Sequence, residues 1–138
     1  MTIVHISAEC YPAAKAGGLG DVVGALPKYQ NRGNNRAMVC MPHYHTPWLL
    51  KANKTLIDTA TCQMGANSVP YNVYEVKESL GFSLYTFDIP GYTDRPGIYL
   101  DPNSGHGYWD EFERFLSVQI AVLDTLIRWD LQPDVLHC

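Results

Sequence analysis

The stretch from Ile3 to Leu26 constrains the fold of this chain more than any other. Ile3, Val4 and Ile6 form a short apolar run that reads as a buried strand, from about Ile3 to Ser7. A loop follows from Ala8 to Gly18, within the segment that ends Lys15-Ala16-Gly17-Gly18-Leu19-Gly20-Asp21. Leu19, Val22, Val23 and Leu26 then recur at i, i+3, i+4 and i+7, the spacing of one buried helix face. A helix is therefore expected from about Leu19 to Gln30. Strand, glycine-rich turn and helix start together make a site for a phosphate or diphosphate. Glycines let the backbone approach a ligand closely, and the first amides of a helix are unpaired and partly positive. Lys15 adds a full positive charge.

Pro27 lies inside that helix and should kink it, because it cannot donate to the carbonyl one turn back. The turn Asn31 to Asn35 stops the helix, and Ala37 to Met41 is a second apolar run, ended by Pro42. This β-α-β unit predicts a parallel sheet with a right-handed crossover. Residues 69–77 and 82–89, rich in Val, Tyr and Phe, read as an antiparallel hairpin joined at Glu78 to Gly81. Residues 90–108 carry many Gly and Pro, so a long loop is expected there, ordered or mobile, of the kind that often serves function.

A further helix is expected after Asp110 and Glu113, which read as a D-x-x-E cap, with Phe112, Phe115, Leu116, Ile120, Leu123 and Ile127 on its buried face. After Pro133, residues 134–138 begin another buried strand. Ligands collect past the carboxyl ends of strands in such sheets, so a chain stopping at that point reads as a fragment.

Composition narrows the function. The chain has 138 residues, 46% hydrophobic and 17% charged, in the range of one globular domain. Its formal net charge of −4 argues against a nucleic-acid or anionic-membrane partner, so any anion must be held locally. Cys10, Cys40, Cys62 and Cys138 form no C-x-x-C pair and read as free, buried or partly buried thiols. No stretch approaches the ~20 apolar residues of a membrane span, and no leader precedes the first strand, so a cytoplasmic protein is expected.

The blocks Glu9 to Lys28 (ECYPAAKAGGLGDVVGALPK), Asp94 to Tyr99 (DRPGIY), Gly107 to Phe115 (GYWDEFERF) and Pro133 to Cys138 (PDVLHC) resemble, in family order, those of bacterial glycogen synthases and plant starch synthases, glycosyltransferase family five. The resemblance implies an α/β fold. It makes residues 1–138 a Rossmann-like, three-layer, parallel-sheet domain with an antiparallel hairpin, the first part of the N-terminal half of a two-domain GT-B enzyme. It implies transfer of glucose from ADP-glucose or UDP-glucose to the non-reducing end of an α-1,4-glucan, with retention of configuration and no cofactor or obligatory metal.

By the same resemblance Lys15 contacts the donor's diphosphate. Gly17 and Gly18 bring their backbone to the donor phosphates and sugar, Asp21 lies near the donor or acceptor sugar, and Tyr99 lines the sugar site. No catalytic residue is assigned within the chain. The family continues after His137 with an H-D segment and a C-terminal domain holding an Arg/Lys pair and a glutamate. The 138-residue piece alone is therefore expected to be inactive.

Other readings of the same residues stay open. Lys15 is otherwise a solvated loop lysine, Asp21 a carboxylate favoured by the helix dipole, and Tyr99 a packing residue. Glu9 reads as a structural hydrogen-bond partner, because no matched second carboxylate accompanies it. His43 and His45 are a weak metal signal, and His5 and His137 read as satisfied core imidazoles. As whole-chain alternatives, a non-catalytic nucleotide- or glucan-binding module has nothing against it. A nicotinamide-dependent module fits poorly: Gly18, Gly20 and Gly24 give G-x-G-x-x-x-G, and no acidic residue follows the second strand. No Walker loop is present.

Overall fold

The computed structural model describes residues 1–138. Its elements are β1 (Thr2–Ile6), α1 (Gly18–Gln30), β2 (Arg36–Pro42), α2 (Pro47–Lys51), β3 (Lys54–Met64), β4 (Asn67–Val76), β5 (Ser83–Asp88), α3 (Glu111–Arg128) and β6 (Val135–His137). One six-stranded sheet runs in the order β3-β4-β5-β2-β1-β6. β1 pairs in parallel with β2 and β6, and β2 pairs in parallel with β5, as a β-α-β chain requires. β4 and β5 form the expected antiparallel pair, and β3 extends it outward.

The middle of the sheet is buried on both faces, which accounts for the unbroken apolar run of β2. Met38 and Cys40 point into one core with Val118, Ala121, Val122 and Leu126 of α3. Val39 and Met41, one residue out of phase, point into the other core with Val23 of α1. Helices on opposite faces give the expected three layers. No helix is long and apolar enough to cross a membrane.

Several expectations need correction. In α1 the sheet-facing residues are Gly20, Val23 and Pro27, while Leu19, at 47% exposure, and Val22 face outward. α3 is turned by roughly half a turn from the expected face. Arg114, Ser117, Val118, Ala121, Val122, Thr125 and Leu126 lie against the sheet, whereas Phe112 is 74% and Ile127 79% exposed. Small residues such as Ser117, Ala121 and Thr125 let the helix axis approach the strands. The periodicity of the larger side chains marked a second apolar face.

β6 is an exposed edge strand rather than a buried one, since β1 is its only neighbour. His137 and Cys138 are exposed with it, while Cys10, Cys40 and Cys62 are free and buried. Burial pushes the thiols of Cys10 and Cys40 up to about 12. α1 continues past Pro27 to Gln30. The Val23 carbonyl, which Pro27 leaves without its helical donor, faces the Cys10 thiol at 3.8 Å.

Residues 89–110 are held as a packed structure by two arginines. Arg95 makes a bidentate ion pair with Asp110, at 2.5 and 2.6 Å. Asp110 therefore makes no side-chain capping bond to α3, contrary to the D-x-x-E expectation. Buried Arg114 donates to the carbonyls of Tyr92, Ile98 and Gly97 and lies over the Tyr108 ring.

Candidate functional site

The loop after β1 emerges at the carboxyl end of the parallel strands and is fastened on every side. Tyr44 donates its hydroxyl to the Ala8 carbonyl at 2.9 Å, and Thr46 donates to the Ala13 carbonyl at 2.7 Å. Cys10 and Ala14 exchange backbone hydrogen bonds, and the Tyr11 amide donates to the Gly20 carbonyl. The loop thus reaches α1 as a fixed turn.

Glu9 is the centre of that turn. It is only 3% exposed, and its Oε2 accepts from the amides of Ala16 at 2.8 Å and Gly17 at 3.0 Å. Its Oε1 accepts from the Tyr99 hydroxyl at 2.7 Å. Burial opposes ionisation here, but these hydrogen bonds, with a weaker one from the Gly20 backbone, prevail and hold the carboxyl below its ordinary range. Burial and the neighbouring Glu9 carboxylate together push the Tyr99 phenol up to about 12. The expected role of Glu9 as a hydrogen-bond partner agrees with this geometry. Its place as the hub joining Tyr99 to the glycine loop was not foreseen, because nothing in local spacing links residues so far apart.

The amide cradle is consequently smaller than the sequence suggested. The amides of Ala16 and Gly17 belong to Glu9, so Gly17 has no free amide to offer. α1 opens at Gly18 with no side-chain cap from Gly17, leaving the amides of Gly18 and Leu19 without a side-chain partner. A Cβ built on Gly17 or Gly18 would meet nothing within 4 Å, so neither glycine is demanded by a contact within the chain. Gly20 differs. A Cβ there would sit 3.1 Å from Glu9 Oε2 and 3.1 Å from Lys15 Cγ.

Lys15 is brought back over this helix start. Its Nζ lies 2.7 Å from Asp21 Oδ2, in the first turn of α1, and both side chains are partly exposed. An exposed pair of this kind contributes ~0–1 kcal/mol, so the ammonium can exchange or share its partner with an arriving anion. Lys15 and Tyr99 border one open cavity of about 870 Å³, together with Tyr11, Thr46 and Trp48. Leu19 and Val22 border another of about 320 Å³, over the ends of β1 and β6. Of the expected site residues, Lys15, Asp21, Gly18 and Tyr99 thus gather around one turn.

The histidines divide differently. His43 is buried and bonded through Nδ1 to Thr86 Oγ1 at 2.7 Å, while His45 is exposed. His5 is buried between Gln30 at 2.8 Å and His137 at 2.9 Å. The Gln30 carbonyl oxygen only accepts, so His5 donates from Nε2 and its Nδ1 accepts from Nδ1–H of His137.

Comparison with known proteins places this geometry in context. A family model described as the starch synthase catalytic domain matches residues 2–138. The glycogen synthase of Flavobacterium johnsoniae is 45% identical over the whole of this chain, which covers 28% of that protein. The glycogen synthase of Geobacillus thermodenitrificans is 36% identical, again over the whole chain and 27% of the relative. Among solved structures, the catalytic domain of starch synthase IV from Arabidopsis thaliana, bound to ADP and acarbose, superposes with a TM-score of 0.86 at 25% identity. That match covers 99% of this chain and 27% of the plant domain. The chain therefore spans little more than a quarter of the length of these relatives.

Proposed function

The chain belongs to the starch synthase catalytic domain family, and on that premise we propose that its glycine turn grips the diphosphate of a nucleotide-sugar donor in a glucosyltransferase. The reaction of the whole enzyme moves glucose from ADP-glucose, or UDP-glucose, to the non-reducing end of an α-1,4-glucan. The bond from the sugar's anomeric carbon to the diphosphate breaks, and a bond to a glucan hydroxyl oxygen forms. The departing diphosphate keeps the electron pair, and the proton of the hydroxyl passes to its phosphate oxygen.

One observation carries this reading. Gly17 and Gly18 face open space beside uncapped helical amides and an exposed ammonium paired with Asp21. A phosphate at the start of α1 would accept from the Gly18 and Leu19 amides and meet the helix's partial positive charge. Lys15 would neutralise charge that accumulates on the diphosphate as the anomeric bond breaks, which is where fixed positive groups accelerate such a transfer. Asp21 keeps that ammonium over the turn and stands near the sugar, while the Tyr99 ring forms a wall of the sugar site. That the plant domain of similar fold is bound to ADP and acarbose supports a nucleotide and a glucan as ligands of this fold.

Melting temperatures of the chain with ADP-glucose, ADP, NAD and a maltooligosaccharide test the reading. ADP-glucose and ADP are expected to raise the melting temperature in proportion to occupancy, and NAD is not. Stabilisation by NAD with none by millimolar ADP-glucose would overturn it.

A further inference from the structure

We propose that Glu9 is a positioning residue that sets which amides of the glycine turn an anion can use. The proposal rests on the donor-site reading above and adds to it the register of the phosphate on the loop. Successive backbone amides in a turn make a concave anion site. Here the first two, at Ala16 and Gly17, already hold an oxyanion belonging to the chain itself. A phosphate cannot displace it without stripping a buried carboxylate of its hydrogen bonds, and it is repelled by that carboxylate's charge. The next open amides are those of Gly18 and Leu19, in the same turn of α1 as Asp21, which holds Lys15. Glu9 thereby moves the docking point forward along the chain, to the place where the ammonium waits.

The same carboxylate fixes Tyr99. Its second oxygen accepts from the Tyr99 hydroxyl, so the ring at the rim of the larger cavity is set relative to the turn by one group. Gly20 runs beside the same carboxylate, since a Cβ at that position would stand only 3.1 Å from Glu9 Oε2. A purely structural Glu9 would hold the loop together, yet its charge would have no bearing on which amides meet a ligand.

Amide chemical shifts of the ¹⁵N-labelled chain, titrated with ADP, decide the matter. In the wild-type chain ADP is expected to shift the amides of Gly18 and Leu19 and to leave those of Ala16 and Gly17 in place. Glu9→Gln keeps the size of the side chain and one acceptor oxygen but removes the charge. In that variant the ADP-induced shifts are expected to spread to Ala16 and Gly17. The Tyr99 phenol, followed by ultraviolet difference absorption, is expected to ionise at lower pH than its wild-type value of about 12. Identical amide sets in wild-type and variant would overturn the role of Glu9 while leaving the donor site standing. Absence of wild-type shifts at Gly18 and Leu19 would overturn the donor site and the Glu9 role with it.

Should Glu9→Gln fail to fold, Tyr99→Phe supplies the second arm. It severs the tyrosine tie and leaves the charge on the Ala16 and Gly17 amides, so the wild-type shift pattern is expected to persist. Spread to Ala16 and Gly17 in that variant would show that the tyrosine sets the register, and the proposal would fall.

Discussion

The hydroxyl of Tyr99 donates to the Glu9 carboxylate across 2.7 Å, although 90 positions separate the two residues in sequence. This bond joins the loop after β1 to the long segment before α3, the two parts of the chain that carry the candidate site. The remainder of that segment is tied down from α3, by Arg114 on three carbonyls and by Asp110 on Arg95. Loops fixed by a rigid scaffold are where binding residues belong.

The glycines of the turn fall into two kinds, which separate stability from binding. Gly20→Ala forces a methyl to 3.1 Å from Glu9 Oε2 and should cost about 1–2 kcal/mol. Gly24→Ala, whose methyl would lie 2.6 Å from the Tyr11 carbonyl oxygen, presses backbone on backbone and should cost about 2–3 kcal/mol. Gly17→Ala and Gly18→Ala meet nothing and should change stability by less than about 0.5 kcal/mol, yet weaken ADP-glucose binding. Urea melts and ligand titrations of the four variants check this; a large stability loss in Gly17→Ala or Gly18→Ala would count against it.

Arg114→Lys should destabilise the chain by about 2–4 kcal/mol. A lysine ammonium cannot reproduce the planar fork that serves the carbonyls of Tyr92, Gly97 and Ile98, and some of those buried acceptors would lose their donor. Chemical denaturation gives the number. A loss under 1 kcal/mol would show that water or neighbouring donors take over the guanidinium's role.

Acid should weaken the fold through His43. Burial lowers its pKa to about 4, with Asp88 acting against that shift and Lys54 and His45 reinforcing it. Between about pH 4 and the ordinary histidine value of ~6.5, the unfolded chain binds a proton that the folded chain refuses. Stability is thus complete above ~6.5 and falls as pH drops through that window, by an amount on the order of 3 kcal/mol. His43→Gln should flatten the dependence. Denaturation midpoints at pH 7 and pH 4.5 for both proteins test the assignment, and an unchanged slope in the variant would refute it. Glu9, whose carboxyl is held low, contributes its own loss only further down, below the ordinary carboxylate range.

Removing the Cys10 thiol should expose the weak point that Pro27 creates in α1. Cys10→Ala leaves the Val23 carbonyl with neither its helical donor nor the thiol, and opens a small void, at a cost of about 1–2 kcal/mol. Cys10→Ser, which can still donate, should cost less if the hydroxyl reaches that carbonyl. Equal losses in the two variants would place the cost in packing alone.

The parallel β1-α1-β2 unit and the β4-β5 hairpin were legible because short-range periodicity and turn residues specify them. β3 was missed. As an edge strand it buries chiefly Cys62 and exposes Leu56 and Ile57, so its pattern lacks the alternation that marks a half-buried strand. The faces of α1 and α3 were misread because exposed apolar residues (Leu19 and Val22; Phe112, Leu123 and Ile127) carried much of the period, while small residues such as Gly20, Ser117 and Ala121 lie on the sheet-facing side. That Lys15, Gly18 and Asp21 meet at the start of α1 was legible from one contiguous motif. The occupation of the Gly17 amide by Glu9 was not, since a side chain folding back eight residues has no signature in local spacing.

The central claim is that Lys15 and the start of α1 bind the diphosphate of the donor. Calorimetric titration of ADP-glucose into the wild-type chain and into Lys15→Ala tests it most directly. The variant loses a charge-assisted phosphate contact worth about 1.5–3 kcal/mol and leaves the Asp21 carboxylate facing the phosphate unneutralised. The account predicts a dissociation constant raised by roughly 10- to 100-fold. Equal affinities in the two proteins would contradict it.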